Sequence, residues 1–152
     1  MRWYTHIVFA LLIVILILPF VENAAVFTLV VLFASLLPDI DQKNARIHRY
    51  MPLTRWIQLV FNHRGIFHSL MVPVLLFSIL YITGYVEIGM AVVLGYCSHL
   101  VADSLTPHGV FYLYPLHGFH VRGFVKVGGL VEMGLFVGMV GSLAFFIWLQ
   151  VT

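Results

Sequence analysis

Five apolar segments dominate this sequence, and they leave little room for any fold outside a membrane. Only 9% of the 152 residues are charged and 62% are hydrophobic, whereas soluble domains carry roughly 25% charged residues. The pattern predicts an all-α fold: a single transmembrane domain over residues 1–152, built as a polytopic bundle of about five helices. The five segments cover residues 6–21, 24–37, 66–82, 88–105 and 130–151.

The first two segments are short for a simple crossing, which needs about 20 apolar residues. Residues 24–37 could therefore cross with little tilt or form a re-entrant hairpin together with the first segment. Arg2 followed by an apolar run resembles a signal peptide, but Glu22 stands where a small residue would precede a cleavage site. We therefore expect residues 7–21 to be a retained span.

Basic residues occur in only three places, and these places predict the orientation of the chain. They lie at the N-terminus, between the second and third segments, and between the fourth and fifth. With five spans all three places fall on one side, which the positive-inside rule makes cytoplasmic. We expect a multi-pass protein of the inner (cytoplasmic) membrane, with its N-terminus inside and its C-terminus outside. The basic residues are Arg2, Lys43, Arg46, Arg49, Arg55, Arg64, Arg122 and Lys126.

Histidines and carboxylates gather at the predicted cytoplasmic ends of the spans. The clearest pair is His99 and Asp103 in HLVADS, which are one helical turn apart and therefore share one face of the fourth span. Ionisable groups at membrane depth are costly and usually mark function. Imidazole and carboxylate together suit Zn²⁺, Mn²⁺ or Fe²⁺. The predicted metal ligands are His6, Asp39, Asp41, His63, His68, His99, Asp103 and Glu132.

So many ligands exceed the needs of one tetrahedral ion and suit two or three divalent ions, with zinc favoured over manganese or iron. Ordinary structural roles stay open for each of them. The pair in HLVADS could be hydrogen-bonded in a core, the carboxylates of LLPDID could lie in a turn, and Glu132 could complement a helix dipole. Four hydroxyls could support the ligands or bond to their own helix, namely those of Ser69, Ser98, Ser104 and Thr106.

At these residues the sequence resembles the YdjM-like family, described as inner-membrane-associated metal-dependent hydrolases. The matching stretches follow the family order and cover most of the chain. One departure is Phe67, where the family has threonine. This change removes a hydroxyl that would support the ligands, but it removes no ligand. The stretches are YTH ending at His6, LLPDID at 36–41, HRGIFHS at 63–69, GYCSHLVADSLTPHGVFYLYP at 95–115 and GGLVE ending at Glu132.

The family is in turn distantly similar to zinc-dependent phospholipase C and P1-type nucleases, which are helical enzymes with a three-metal cluster. The HLVADS pair matches their HxxxD pattern, and the resemblance implies phosphoester hydrolysis by a metal-activated water. The depth of the site favours a phospholipid or a polyprenyl phosphate as substrate. Arg64 would either stabilise the developing charge or serve only as a basic residue of the cytoplasmic side, and Asp39, Asp41 or Glu132 would act as general base if not fully occupied as a ligand.

Two other functions stay open at this point. A divalent-metal or proton transporter would also need buried histidines and acids, although the outer halves of the spans offer no continuing polar path. A non-catalytic membrane adaptor would use the metal only to hold the helices together. A second copy of the chain could pack on Gly134, Gly138 and Ser142. The net charge of +2 gives no reason to expect a nucleic-acid partner.

Overall fold

A computed structural model describes residues 1–41 and 66–151, and it confirms the predicted all-α membrane bundle. Short 3-10 turns at Leu18–Phe20, Leu37–Asp41 and Ile66–His68 adjoin the longer helices. A small antiparallel hairpin pairs β1 (Val110–Phe111) with β2 (His120–Val121). The α-helices are α1 (Trp3–Ile17), α2 (Ala24–Ala34), α3 (Met71–Ile82), α4 (Val86–Ser104) and α5 (Leu130–Val151).

Within the described residues, three helices are long and apolar enough to cross a membrane. They are α1 continued to Phe20, with 18 residues, α4 with 19, and the stretch Leu130–Leu149 of α5 with 20. The helices α2 and α3 have only 11 and 12 residues. The third apolar segment thus forms a shorter helix than the sequence predicted, because its first residues make a separate 3-10 turn. The orientation of the bundle stays a prediction.

The helix α4 is the centre of the bundle and packs against α1, α2 and α3. Its closest neighbour is α2, and the approach depends on Gly95. A Cβ atom at Gly95 would lie 2.2 Å from the carbonyl oxygen of Val31 and 2.9 Å from the Cβ of Ala34. Only glycine therefore lets the end of α2 lie this close to α4. One turn further along α4 is His99, which this approach brings to the backbone of Ser35.

An apolar core fills the bundle away from the polar cluster. It joins α1, α2 and α4 through small and branched side chains, as expected of a close-packed interior. The helix α5 packs against α1 and leaves most of its apolar side chains exposed, as a lipid-facing helix would. The buried residues of this core are Ala10, Val14, Phe27, Val31 and Ala91.

The β1–β2 hairpin is fastened to the end of α4 and to the beginning of α3. The backbone N–H groups of Gly123 and Val125 donate to the carbonyls of Thr106 and Leu105, at 3.0 and 2.9 Å. The N–H of Leu70 donates to a carbonyl of the same hairpin, at 2.9 Å. These bonds hold the C-terminal end of α4 in a fixed relation to the 3-10 turn that precedes α3.

We predict that Gly95→Ala destabilises the protein by about 1–3 kcal/mol, the usual cost of overpacking, because its Cβ collides with the backbone of α2. The matched control is Gly141→Ala in α5, where a new Cβ meets no atom within 4 Å. Both changes raise helix propensity equally, so their difference isolates the steric effect. Thermal unfolding in detergent, followed by tryptophan fluorescence, measures it. Equal melting temperatures for the two variants would contradict the close approach of α2 and α4.

Candidate metal centre

Four of the predicted ligands converge at one end of the bundle. Asp39, His68, His99 and Asp103 each offer one ligand atom, and these atoms all lie within 4.8 Å of one another. They come from the 3-10 turn after α2, the 3-10 turn before α3, and the last turns of α4. The Asp39 side chain is 20% exposed, whereas the other three are buried.

The separations between these atoms are too long for hydrogen bonds and suit a shared cation. His99 Nε2 lies 3.7 Å from Asp39 Oδ1 and 3.7 Å from Asp103 Oδ2. His68 Nε2 lies 4.0 and 3.8 Å from the same two oxygens. Two ligands bound to a tetrahedral zinc ion at about 2.05 Å are roughly 3.3 Å apart. The four atoms therefore surround a space slightly wider than a zinc ion requires.

The tautomer of His99 favours a metal at this place. Its Nδ1–H donates to the carbonyl oxygen of Ser35 at 2.7 Å, because a carbonyl can only accept. In the neutral ring the Nε2 atom then carries a lone pair, and it faces the two carboxylates. It is buried, and it has no hydrogen-bond partner within the described part of the chain. Metal-bound histidines usually donate their other ring N–H to a carbonyl or carboxylate in this way.

His68 is placed by a tyrosine of the central helix. The hydroxyl of Tyr96, which is fully buried, donates to the backbone carbonyl of Phe67 at 2.6 Å. The Ser69 hydroxyl donates to the carbonyl of Ile66 at 2.7 Å and closes the same 3-10 turn. These two bonds fix the turn against α4 with the His68 ring directed into the centre. Phe67, which replaces the family threonine, thus helps to place His68 through its backbone carbonyl.

Asp103 presents its two oxygens to different neighbours. Its Oδ2 faces His68 and His99, whereas its Oδ1 lies 3.5 Å from His6 Nε2 and contacts the α-amino group of Met1. The His6 ring is buried and stacks on His99, with ring centroids 3.9 Å apart and planes 9° from parallel. One oxygen of Asp103 thus belongs to the group of four converging ligands, and the other already contacts a cationic group, the α-amino group of Met1.

Glu132 lies in a neighbouring hydrogen-bonded cluster. Its Oε1 accepts from the Arg2 backbone N–H at 2.7 Å and from the Thr5 hydroxyl at 3.0 Å. Its Oε2 accepts from the Gly128 backbone N–H at 2.5 Å. The carboxylate thereby joins the first turn of α1 to the first turn of α5, and one of its partners, Thr5, precedes His6 in the chain. The group of four converging ligands does not include it.

Some predicted site residues cannot be placed. His63 and Arg64, and the side chain of Asp41, lie outside the described residues, so their predicted roles as ligands, phosphate contact and general base stay predictions.

Four hydroxyls for which the sequence allowed two roles form hydrogen bonds to nearby backbone carbonyls. Each donates to the carbonyl three residues earlier, at 2.7 or 2.8 Å. They cap local turns, as the second of the two alternatives expected. Among the groups that do contact side chains of predicted ligands are the Ser35 carbonyl and the Thr5 hydroxyl, neither of which the sequence singled out. The hydroxyls with local bonds are those of Ser69, Ser98, Ser104 and Thr106.

We predict that His99→Ala lowers the metal content of the purified protein by at least one ion per chain, because it removes a buried donor whose ring is held by the Ser35 carbonyl. The control is His117→Ala, which changes an exposed loop histidine. Inductively coupled plasma mass spectrometry on detergent-solubilised protein gives the metal content. Equal metal content in wild type and His99→Ala would place any bound metal elsewhere.

We predict that Glu132→Gln lowers the melting temperature but leaves the metal at the four converging ligands. The amide lacks the charge and one of the acceptor oxygens, and a weakened buried hydrogen bond to a charged group costs about 1.5–3 kcal/mol. Thr5→Val, which removes only one of the donors, should have a smaller effect of the same sign. Loss of all bound metal in Glu132→Gln at unchanged stability would make Glu132 a ligand instead.

Comparison with known proteins supports the membrane assignment. The family model of the YdjM inner membrane protein matches residues 1–151. The inner membrane protein YdjM of Escherichia coli (strain K12) is 36% identical over 91 residues, which cover 55% of this chain and 46% of that protein. The uncharacterized protein YvsG of Bacillus subtilis (strain 168) is 33% identical over 85 residues, covering 53% and 52%.

The chain spans about half the length of the curated relatives it matches. No solved structure matches it. The family match extends over nearly the whole chain, from α1 to α5, and the relatives from Escherichia coli and Shigella flexneri carry the name of an inner membrane protein. This apolar bundle is therefore an inner membrane protein and belongs to the YdjM inner membrane protein family.

Proposed function

We propose that this protein is a membrane-embedded, metal-dependent hydrolase that cleaves phosphoester bonds in a lipid-like substrate at the cytoplasmic face. The observation that carries the proposal is the fixed His99 ring. Its Nε2 lone pair is buried, free of hydrogen bonds to the described residues, and aimed at two carboxylates and a second histidine. Burying these groups without a cation would cost several kcal/mol.

The donor set fits borderline divalent metals. It combines imidazole nitrogens with carboxylate oxygens, which zinc accepts readily and which manganese and iron also tolerate. Catalytic zinc sites keep one position for water or substrate, whereas structural sites are closed by protein ligands. The partly exposed Asp39 marks the side from which a substrate would approach. A second ion between Asp103 and His6 would replace the Met1 α-amino group that contacts Asp103, and Asp41 and His63 are candidates for the remaining ligands.

The chemistry divides between the metal and the chain. A bound divalent cation would supply Lewis-acid chemistry, which makes a hydroxide nucleophile available at neutral pH and polarises a phosphoryl oxygen. Asp41, or Asp39 where it is not fully occupied as a ligand, would accept the proton of the attacking water. Glu132 is a weaker candidate for that role, because it already accepts three hydrogen bonds. Arg64 would bind the phosphate oxygens as a planar fork.

The packing beyond the centre supports a hydrolase over a transporter. Among the described residues, the interior between α1, α2 and α4 is filled by apolar side chains. An ion path through the bundle would need polar groups there. A purely structural metal would be closed on all sides, whereas the Asp39 side of this centre is partly open. Both observations favour a reaction at one end of the bundle.

We predict metal-dependent turnover, and we expect Asp103→Ala to lower it by at least about 100-fold. The substitution removes the carboxylate that would bind and orient the metal. The assay uses wild-type protein in vesicles, loaded with zinc or manganese, and a panel of phospholipids and polyprenyl phosphates. The control is Glu22→Gln, an exposed carboxylate at the opposite end of the bundle. Retained turnover in Asp103→Ala would overturn the site, and zinc flux without hydrolysis would make the protein a transporter.

A further inference from the structure

A cavity of about 340 Å³ lies between the first turn of α1 and the first two turns of α5. This volume is within the range of roughly 300–1,000 Å³ found for small-molecule sites. One end of the cavity is polar, and the other follows an apolar face of α5. The lining residues that matter for its chemistry are Arg2, Tyr4, Glu132, Met133, Phe136 and Val137.

The accessible charge of the cavity is positive. The Arg2 guanidinium is exposed, lies over the Tyr4 ring and donates one hydrogen bond, from Nη1 to the Tyr4 hydroxyl at 2.6 Å. An arginine guanidinium is charged at every physiological pH, so this end of the cavity carries a positive charge. The described residues accept no other hydrogen bond from the guanidinium, so its four further N–H donors can meet a ligand in a planar fork that matches phosphate oxygens.

The one carboxylate among the residues that line the cavity, that of Glu132, is buried in the protein and points away from a ligand. Glu132 is only 2% exposed, and its oxygens already accept hydrogen bonds from Arg2, Thr5 and Gly128. It therefore offers little to the ammonium of a zwitterionic headgroup. The charge that a ligand meets is the guanidinium, and this favours a ligand of net negative charge.

The apolar half of the cavity faces the membrane. Met133 and Val137 are four residues apart on one face of α5, and they are 66% and 59% exposed. Phe136 lies between them and contacts the Tyr4 ring edge-on, with centroids 5.0 Å apart. Because α5 is long and apolar enough to cross a membrane, this face meets the hydrocarbon region. A ligand that lies here has an acyl chain.

Trp3 sets the depth of the cavity. Its ring is 52% exposed and packs edge-on against Tyr4, at 5.8 Å between centroids. Tryptophan and tyrosine beside an arginine are typical of the interface between headgroups and hydrocarbon. Basic residues at this level attract anionic lipids. The guanidinium therefore lies where the phosphate of a bilayer lipid lies, with the apolar face of α5 below it.

From these features we infer that the cavity is a binding site for an anionic glycerophospholipid, with the lipid phosphate on Arg2 and the upper part of one acyl chain along Met133, Phe136 and Val137. The site requires neither metal nor turnover and goes beyond the proposed function. It adjoins the metal centre through Thr5, which bonds to Glu132 and precedes His6.

The test is native mass spectrometry of delipidated, chelator-treated protein titrated with phosphatidylglycerol or with phosphatidylcholine of the same acyl chains. We expect wild type to bind phosphatidylglycerol about 10-fold more tightly. Arg2→Gln should reduce this affinity to the level of phosphatidylcholine, and Val137→Trp should weaken both lipids by filling the apolar half. The matched control is Arg122→Gln, an exposed arginine outside the cavity, which should change either affinity less than twofold.

Three results would overturn the inference. They are unchanged phosphatidylglycerol binding in both Arg2→Gln and Val137→Trp, equal losses in Arg2→Gln and Arg122→Gln, and competition by glycerol phosphate at the same concentration as the lipid. The last would mean that the site recognises phosphate alone. His99→Ala should bind phosphatidylglycerol like wild type, so this site and the metal centre are tested separately.

Discussion

The hydrogen bond from the His99 ring to the Ser35 carbonyl is the contact on which the candidate centre depends. Ser35 is the C-terminal cap of α2, and carbonyls at the end of a helix lack intrahelical partners. The helix end thus supplies an acceptor that the ring can use, provided that the two helices approach closely. Gly95 permits that approach, so one small residue in α4 determines the tautomer of a ligand one turn away.

The placement of the centre follows from the cost of buried charge in an apolar protein. Its ligands come from the last turns of α4 and from two 3-10 turns, where α2 and α3 stop short of a full span. Irregular backbone at membrane depth is tolerated only where protein surrounds it or water reaches it. The hairpin that follows α4 and the buried Tyr96 provide this enclosure, and the exposed edge of Asp39 leaves one side open.

Much of this arrangement could be predicted from the sequence. Apolar length identifies the helices, and the HxxxD spacing puts His99 and Asp103 on one face whatever surrounds them. The loops containing Asp39 and His68 could be assigned to the same end because each adjoins a span on the basic side. These predictions use only periodicity and charge, which are properties of the chain itself.

The contacts that support the ligands could not be predicted in the same way. A backbone carbonyl such as that of Ser35 is present at every residue, so its use by His99 depends on tertiary packing. Glu132 looks like the other ligands in sequence, and only the positions of Thr5 and Gly128 show that its oxygens are already occupied. The shortness of α3 likewise follows from a 3-10 turn that apolar composition does not reveal.

We propose that a cation binds between Asp39, His68, His99 and Asp103. X-ray absorption at the zinc edge, measured on the zinc-loaded protein in detergent, tests this directly. We predict nitrogen and oxygen donors at about 2.0–2.2 Å, with the outer-sphere scattering of at least two imidazole rings. A sulfur donor at about 2.3 Å would mean binding at Cys97 instead, and a spectrum of hydrated zinc would mean that these four residues do not form a metal site.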